Sequence, residues 1–177
     1  RVQEESGAKV LLALKAFSMF ALAPLVMRYL SGTCASGLLE ARLGKEEYGG
    51  EVHVYSAAFT PDDLKETLTF ADHVVFNSWS QWQRAQDMIR ENHRWGHDPH
   101  FGLRINPRHS EGAVAMYDPC AAGSRLGTPI AQLLDKDLSG ITGLHFHTLC
   151  EQNFAPLART LDAVEAQAGE LLHKMQW

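Results

Sequence analysis

Lys15 closes an otherwise apolar run, Val10-Leu-Leu-Ala-Leu-Lys15, bounded by Gly7 and Ser18. A lysine at the end of a buried strand stands where ligands sit in α/β folds. Burial there favours the neutral amine that condenses with a carbonyl compound as a Schiff base; the alternative is a strand-end lysine reaching out to water. His145-Phe-His147, placed on a strand, would turn both imidazoles to one face and Phe146 to the other. That pair suits zinc ligation, an aromatic wall against a flat cofactor ring, or a hydrogen-bonded core layer. Partner carboxylates are lacking, because the other strand ends offer Lys, Ser, Asn and Arg, so no metal is expected. Arg104 closes a strand ahead of Asn106-Pro107 and suits a phosphate or carboxylate, or a structural ion pair. The Gly- and Pro-bearing run from Met116 to Gly127 is long enough to read as functional, with Tyr117, Asp118, Ser124 and Arg125 as candidate substrate contacts. His93, His97 and His100 form a looser group in an irregular connection, expected to be solvated. No nucleophile elbow or triad-like spacing joins Ser, Cys and His.

The elements that must position these residues alternate along the chain. Strands are expected at 9–15, 32–35, 51–55, 73–77, 100–106 and 143–147. Helices are expected at 21–30, 36–45, 61–70, 80–92, 128–134 and 154–175. Thr60-Pro-Asp-Asp63 is a helix start with Pro at the first position and acids in the first turn. Pro24 fits a first turn better than a helix interior, so its helix should begin late. Ordered strand–helix alternation implies parallel strands with right-handed crossovers, an α/β fold.

Polar residues recur at nearly every strand end: Lys15, Thr33-Cys-Ala-Ser36, Ser56, Asn77-Ser78, Arg104-Ile-Asn106 and His145-Phe-His147. A ring of them suits the C-terminal mouth of a TIM-like (β/α) barrel better than the single switch point of an open sheet. No Gly-x-Gly-x-x-Gly follows the first strand. About six of eight βα units are present. The start at Arg-Val-Gln-Glu-Glu and the stop after a helix at Trp177 lead to the expectation that residues 1–177 are part of a barrel with both ends missing.

The chain has 177 residues, 45% of them hydrophobic, enough for one core. Its net charge of −5, with no basic stripe, argues against nucleic acid as a partner. The longest apolar stretch, 19–27, is too short to span a bilayer and contains Pro24. Cys34, Cys120 and Cys150 are odd in number and widely spaced, which points to reduced thiols in a cytoplasmic protein.

Ala13-Leu-Lys-Ala-Phe-Ser18 resembles the lysine strand of the fold-type III pyridoxal-phosphate decarboxylases, the alanine-racemase and ornithine-decarboxylase type of barrel. Further segments resemble the carboxynorspermidine (carboxyspermidine) decarboxylase branch. They include Gly32-Thr-Cys-Ala-Ser36, Phe76-Asn-Ser78, Gly102-Leu-Arg-Ile-Asn-Pro107 and, most specifically, Gly143-Leu-His-Phe-His-Thr-Leu-Cys-Glu-Gln152. The resemblance implies that Lys15 holds pyridoxal 5'-phosphate covalently and that His147 stacks on its ring, supported by His145. It further implies Arg104, Ser36 and Cys150 as cofactor contacts, and Arg125, Tyr117 and Asp118 as substrate contacts. The implied enzyme is a cytoplasmic, homodimeric lyase of polyamine synthesis acting on a small polyamine precursor. The family's glycine-rich phosphate loop and C-terminal β-domain are not in these residues, so the chain alone is expected to be inactive. A cofactor-holding homologue without catalysis, or a metal-dependent hydrolase using His145 and His147, are the alternatives.

Overall fold

The computed structural model describes residues 1–92 and 97–177. Its elements run α1 (Val2–Ser6), β1 (Leu11–Ala13), α2 (Ala23–Val26), β2 (Gly32–Ala35), α3 (Leu38–Leu43), β3 (Glu51–Ser56) and α4 (Pro61–Thr67). They continue with β4 (His73–Phe76), α5 (Trp79–Asn92), β5 (His100–Asn106), β6 (Thr128–Pro129), β7 (Ile141–His145) and α6 (Phe154–Leu172). Two compact units result, residues 1–75 with 85–100 and residues 76–84 with 101–177.

In the first unit β1, β2, β3 and β4 lie side by side in chain order. The parallel register runs from Ala13 through Cys34 to His53. On β3 the period of two is plain: Val52 and Val54 are fully buried, while Glu51, His53 and Tyr55 are half-buried on the other face. A satellite core forms from Leu14, Ala23 and Tyr48, with Leu12, Val26, Met27 and Leu43 packed against it. The α4 start behaves as its sequence demands, since the Thr60 side chain accepts the Asp63 N–H (3.1 Å) and Pro61 occupies the first turn.

In the second unit β5 pairs in parallel with both β6 and β7. Phe76, Trp82 and Phe101 form an aromatic cluster, with ring centroids 5.3–6.1 Å apart. Thr160, Val164, Ala168 and Leu171 are the buried stripe of α6, at helical spacing. The facing glycines Gly102 and Gly143 leave a slot for the Trp177 ring, whose Nε1 donates to Thr142 Oγ1 (3.1 Å).

Several expectations are corrected. β1 ends at Ala13, not Lys15, because the Ala16 and Phe17 N–H groups turn back onto the Ala13 carbonyl. The helix expected at 21–30 is a four-residue α2 preceded by a short 3₁₀ turn at Phe20–Leu22; it begins late, with Pro24 in its first turn, as expected. The helix expected at 36–45 ends at Leu43 and continues as a π-helical turn, Gly44–Tyr48. No helix fills 128–134: Thr128 and Pro129 pair with Ile105 and Asn106 as β6, and Ile130–Gln132 is a single 3₁₀ turn. The last strand runs Ile141–His145 rather than 143–147, so His147 lies beyond it.

Candidate functional site

In the first unit Lys15 stands in the turn that follows β1 and is exposed. This corrects the expectation of a buried strand-end amine. Among the described residues no ion pair or hydrogen bond engages its ammonium. The turn is fixed from below by the Leu14 N–H, which donates to the Cys34 carbonyl (3.1 Å). Lys15 is near enough to act electrostatically on the half-buried Cys34. Burial raises that thiol's pKa, the Lys15 charge partly opposes the rise, and Glu40 adds to it. Ser36, just past β2, is exposed, and its N–H donates to Glu40 Oε2 (2.7 Å).

The second unit gathers Arg104, His145 and His147. Arg104 and His145 are register partners on β5 and β7. Arg104 lies within β5 rather than at its end and is only 5% exposed. Its Nη2 donates to the His147 carbonyl (3.1 Å), so a buried guanidinium anchors the backbone where β7 leaves the sheet. The two imidazoles meet edge to face, centroids 6.4 Å apart and planes at 61°, with His145 half-buried and His147 exposed. They do not share one strand face, as the sequence had suggested. The His145 pKa is lowered to about 4, first by burial and then by the positive charges of Arg104 and His147.

That value has a measurable consequence. The unfolded chain, with an ordinary histidine near 6.5, binds more protons than the native one between those pH values. The stability His145 contributes is therefore complete above about pH 6.5 and is lost as pH falls toward 4. An imidazole NMR titration of His145 should give a midpoint near 4; a midpoint at the ordinary value would show a solvated ring.

Thr148 follows His147 with its hydroxyl buried and, among the described residues, without a hydrogen-bond partner. Cys150 is exposed. Tyr117, Asp118, Ser124 and Arg125 line one open cleft along the 115–126 loop. Tyr117 and Arg125 are exposed, and Asp118 Oδ1 accepts the Cys120 N–H (2.8 Å).

The residue that holds this loop is Asn77, which sequence reading placed at a strand end without a role. Its Nδ2 donates to the Arg125 carbonyl (2.8 Å), and its Oδ1 accepts the Gly127 N–H (2.9 Å). Asn77→Ala should cost about 2 kcal/mol, two hydrogen bonds at a buried position, and should speed limited proteolysis within 115–126. Unchanged proteolysis would show that the loop is held elsewhere.

Another grouping was also missed. His53 and His73 stack, His73 stacks on His100, and Glu51 bonds His53. Of the loop histidines, His97 is half-buried with its Nε2 2.7 Å from the Ala71 carbonyl, whereas His100, at the start of β5, is exposed as expected. His93, and Gly96 where the sequence also expects a helix to stop, lie outside the described residues. The signal in the sequence was a histidine near the start of three strands, which only the register brings together.

Known proteins resemble this chain throughout. A carboxyaminopropylagmatine decarboxylase from Synechocystis sp. is 41% identical over the whole chain. Carboxynorspermidine/carboxyspermidine decarboxylases from Campylobacter jejuni and Herminiimonas arsenicoxydans are 39% and 38% identical over 99% and 100% of it. The chain is a relative of part of these decarboxylases. It spans 44–47% of the length of those curated relatives. The crystal structure of carboxynorspermidine decarboxylase from C. jejuni, complexed with norspermidine, matches with a TM-score of 0.84 at 36% identity, over 99% of this chain and 43% of that one. A diaminopimelate decarboxylase from Helicobacter pylori complexed with L-lysine matches at 0.77 and 16% identity, over 95% of this chain and 45% of that one, and bears on the fold alone. The parallel βα units are those of a decarboxylase barrel, the fold class expected from the strand ends. No family model matches the chain. Among the described residues no helix is long and apolar enough to cross a membrane.

Proposed function

We propose that the whole protein decarboxylates an α-amino acid carried on a polyamine-like chain, with pyridoxal 5'-phosphate as its cofactor and residues 1–177 as the lysine-bearing part of its barrel. The substrate class is carboxynorspermidine or carboxyspermidine, and the relative from Synechocystis sp. adds carboxyaminopropylagmatine to it. The observation that supports this reading is the match, at 38–41% identity, to decarboxylases of that chemistry over essentially the whole chain.

The residues fit such a cofactor by the chemistry of their donors. Lys15 supplies an exposed amine without an ion pair or hydrogen bond among the described residues. Arg104 supplies a buried guanidinium for an anion, and His145 is held neutral beside it. The unpartnered Thr148 hydroxyl adds a buried donor next to His147.

In this reading Lys15 holds the cofactor covalently and His147 stacks on its ring. Arg104 and His145 fix the backbone from which His147 projects. Ser36 and Cys150 are further cofactor contacts, while Tyr117, Asp118 and Arg125 face the substrate. Asp118 suits a substrate amine and Arg125 a carboxylate. When bound, pyridoxal phosphate supplies the electron sink that lets a carboxylate leave as CO₂. The protein's part is to orient the bond that breaks.

We further place the whole protein in the cytoplasm as a homodimer, a location supported by three cysteines without a disulfide. The test is product formation by the whole protein, supplied with pyridoxal phosphate, from each of the three carboxylated substrates. Conversion of one or more is expected; conversion of none would overturn the reading.

A further inference from the structure

Glu51 and His53 lie two residues apart on β3 and so share a face, and His73 opens the neighbouring β4. One oxygen and two imidazole nitrogens from the three residues lie within 4.8 Å of one another. Glu51 Oε2 is 3.0 Å from His53 Nε2. The His53 and His73 rings stack with centroids 3.9 Å apart and planes at 12°, and His100 stacks on His73 at 5.1 Å. All three residues are half-buried and belong to the first unit. They sit at the amino ends of their strands, whereas Lys15 follows the carboxyl end of β1.

We propose that Glu51, His53 and His73 form a binding site for a divalent cation of the zinc class, with water completing the coordination. Two imidazoles and a carboxylate are a known three-ligand zinc set, and imidazole nitrogen selects zinc, copper or nickel over magnesium and calcium. On His53, Nε2 donates to Glu51 Oε2, so ligation through that nitrogen first moves its proton to Nδ1; both imidazoles are uncharged at neutral pH, as ligation requires. Burial is the first cause, lowering the His53 pKa and taking that of His73 to about 4.

A cation lies in the plane of each imidazole that binds it, and two parallel rings cannot share one plane. Ligation therefore requires one ring to turn out of the stack. Lys9 pairs with Glu51 through Oε1, the oxygen away from His53, so its charge opposes the cation without occupying Oε2. The site is independent of the decarboxylase reading, because none of its residues is assigned to cofactor or substrate.

The test is a cobalt and zinc titration of the purified chain. One cobalt per chain is expected, with the visible d–d bands of an N/O site and displacement by zinc. Glu51→Gln and His73→Gln should each weaken binding at least about tenfold, and Lys9→Met should tighten it. In the unaltered chain, zinc should shift the His53 and His73 imidazole resonances. Absence of stoichiometric binding, full binding by the glutamine variants, or shifts confined to other histidines would overturn the proposal.

Discussion

Lys15→Ala is expected to lower decarboxylation by the whole protein by roughly 10³-fold or more, about 4 kcal/mol of barrier. Within residues 1–177 Lys15 is the lysine in the turn that follows a strand; the five remaining lysines are Lys9, Lys45, Lys65, Lys136 and Lys174. Lys9 is engaged by Glu51, and Lys45 lies in the π-helical turn after α3. Lys15 is held by its backbone rather than by its head group, because the turn at 14–17 is bonded to Ala13 and Cys34 while the ammonium is left unpaired among the described residues. Lys15→Arg separates charge from nucleophilicity. It keeps the positive charge near Cys34 and should lose as much activity as alanine. Retention of activity by the arginine variant would show that Lys15 acts only as a charge.

Gly32→Ala should destabilise the chain by about 3 kcal/mol or more, the upper range of overpacking. Gly32 opens β2 between Leu11 of β1 and Glu51 of β3. A Cβ there would lie 2.1 Å from the Glu51 carbonyl oxygen and 2.7 Å from its nitrogen. These are backbone atoms of a paired strand, so relief requires β2 and β3 to part. The parting would propagate to the Ala13–Cys34 pairing beneath Lys15, and cofactor attachment should fall together with stability. Chemical denaturation reads the first effect. A denaturation midpoint unchanged from the parent chain would mean that the sheet accommodates the methyl.

The parts of this arrangement that were legible in the sequence are those governed by local chemistry. β2 and β5 fall at their expected residues because short apolar runs are bounded by turn-forming neighbours, and α4 starts where Thr60 caps it. Lys15, Arg104 and His145 stand out in the sequence because each is a polar residue interrupting or ending a run expected as an apolar strand. What failed depended on distant atoms. β7 stops at His145 because the Arg104 side chain, rather than a neighbouring strand, takes the His147 carbonyl. β6 exists because Gly127, at φ +77°, lets the chain come close to the Ile105 backbone, where a Cβ would lie 2.8 Å from its oxygen. The local pattern of 128–134 reads as helical and carries no trace of that approach. The part played by Asn77 and the meeting of His53, His73 and His100 are likewise products of register.

The most direct measurement is borohydride reduction of the chain after incubation with pyridoxal phosphate, followed by peptide mapping. A single reductive tag on Lys15, accompanied by an absorbance band near the visible edge, is the expected result. Tags spread over the other lysines, with Lys15 unmodified, would contradict the assignment of Lys15 as the cofactor lysine.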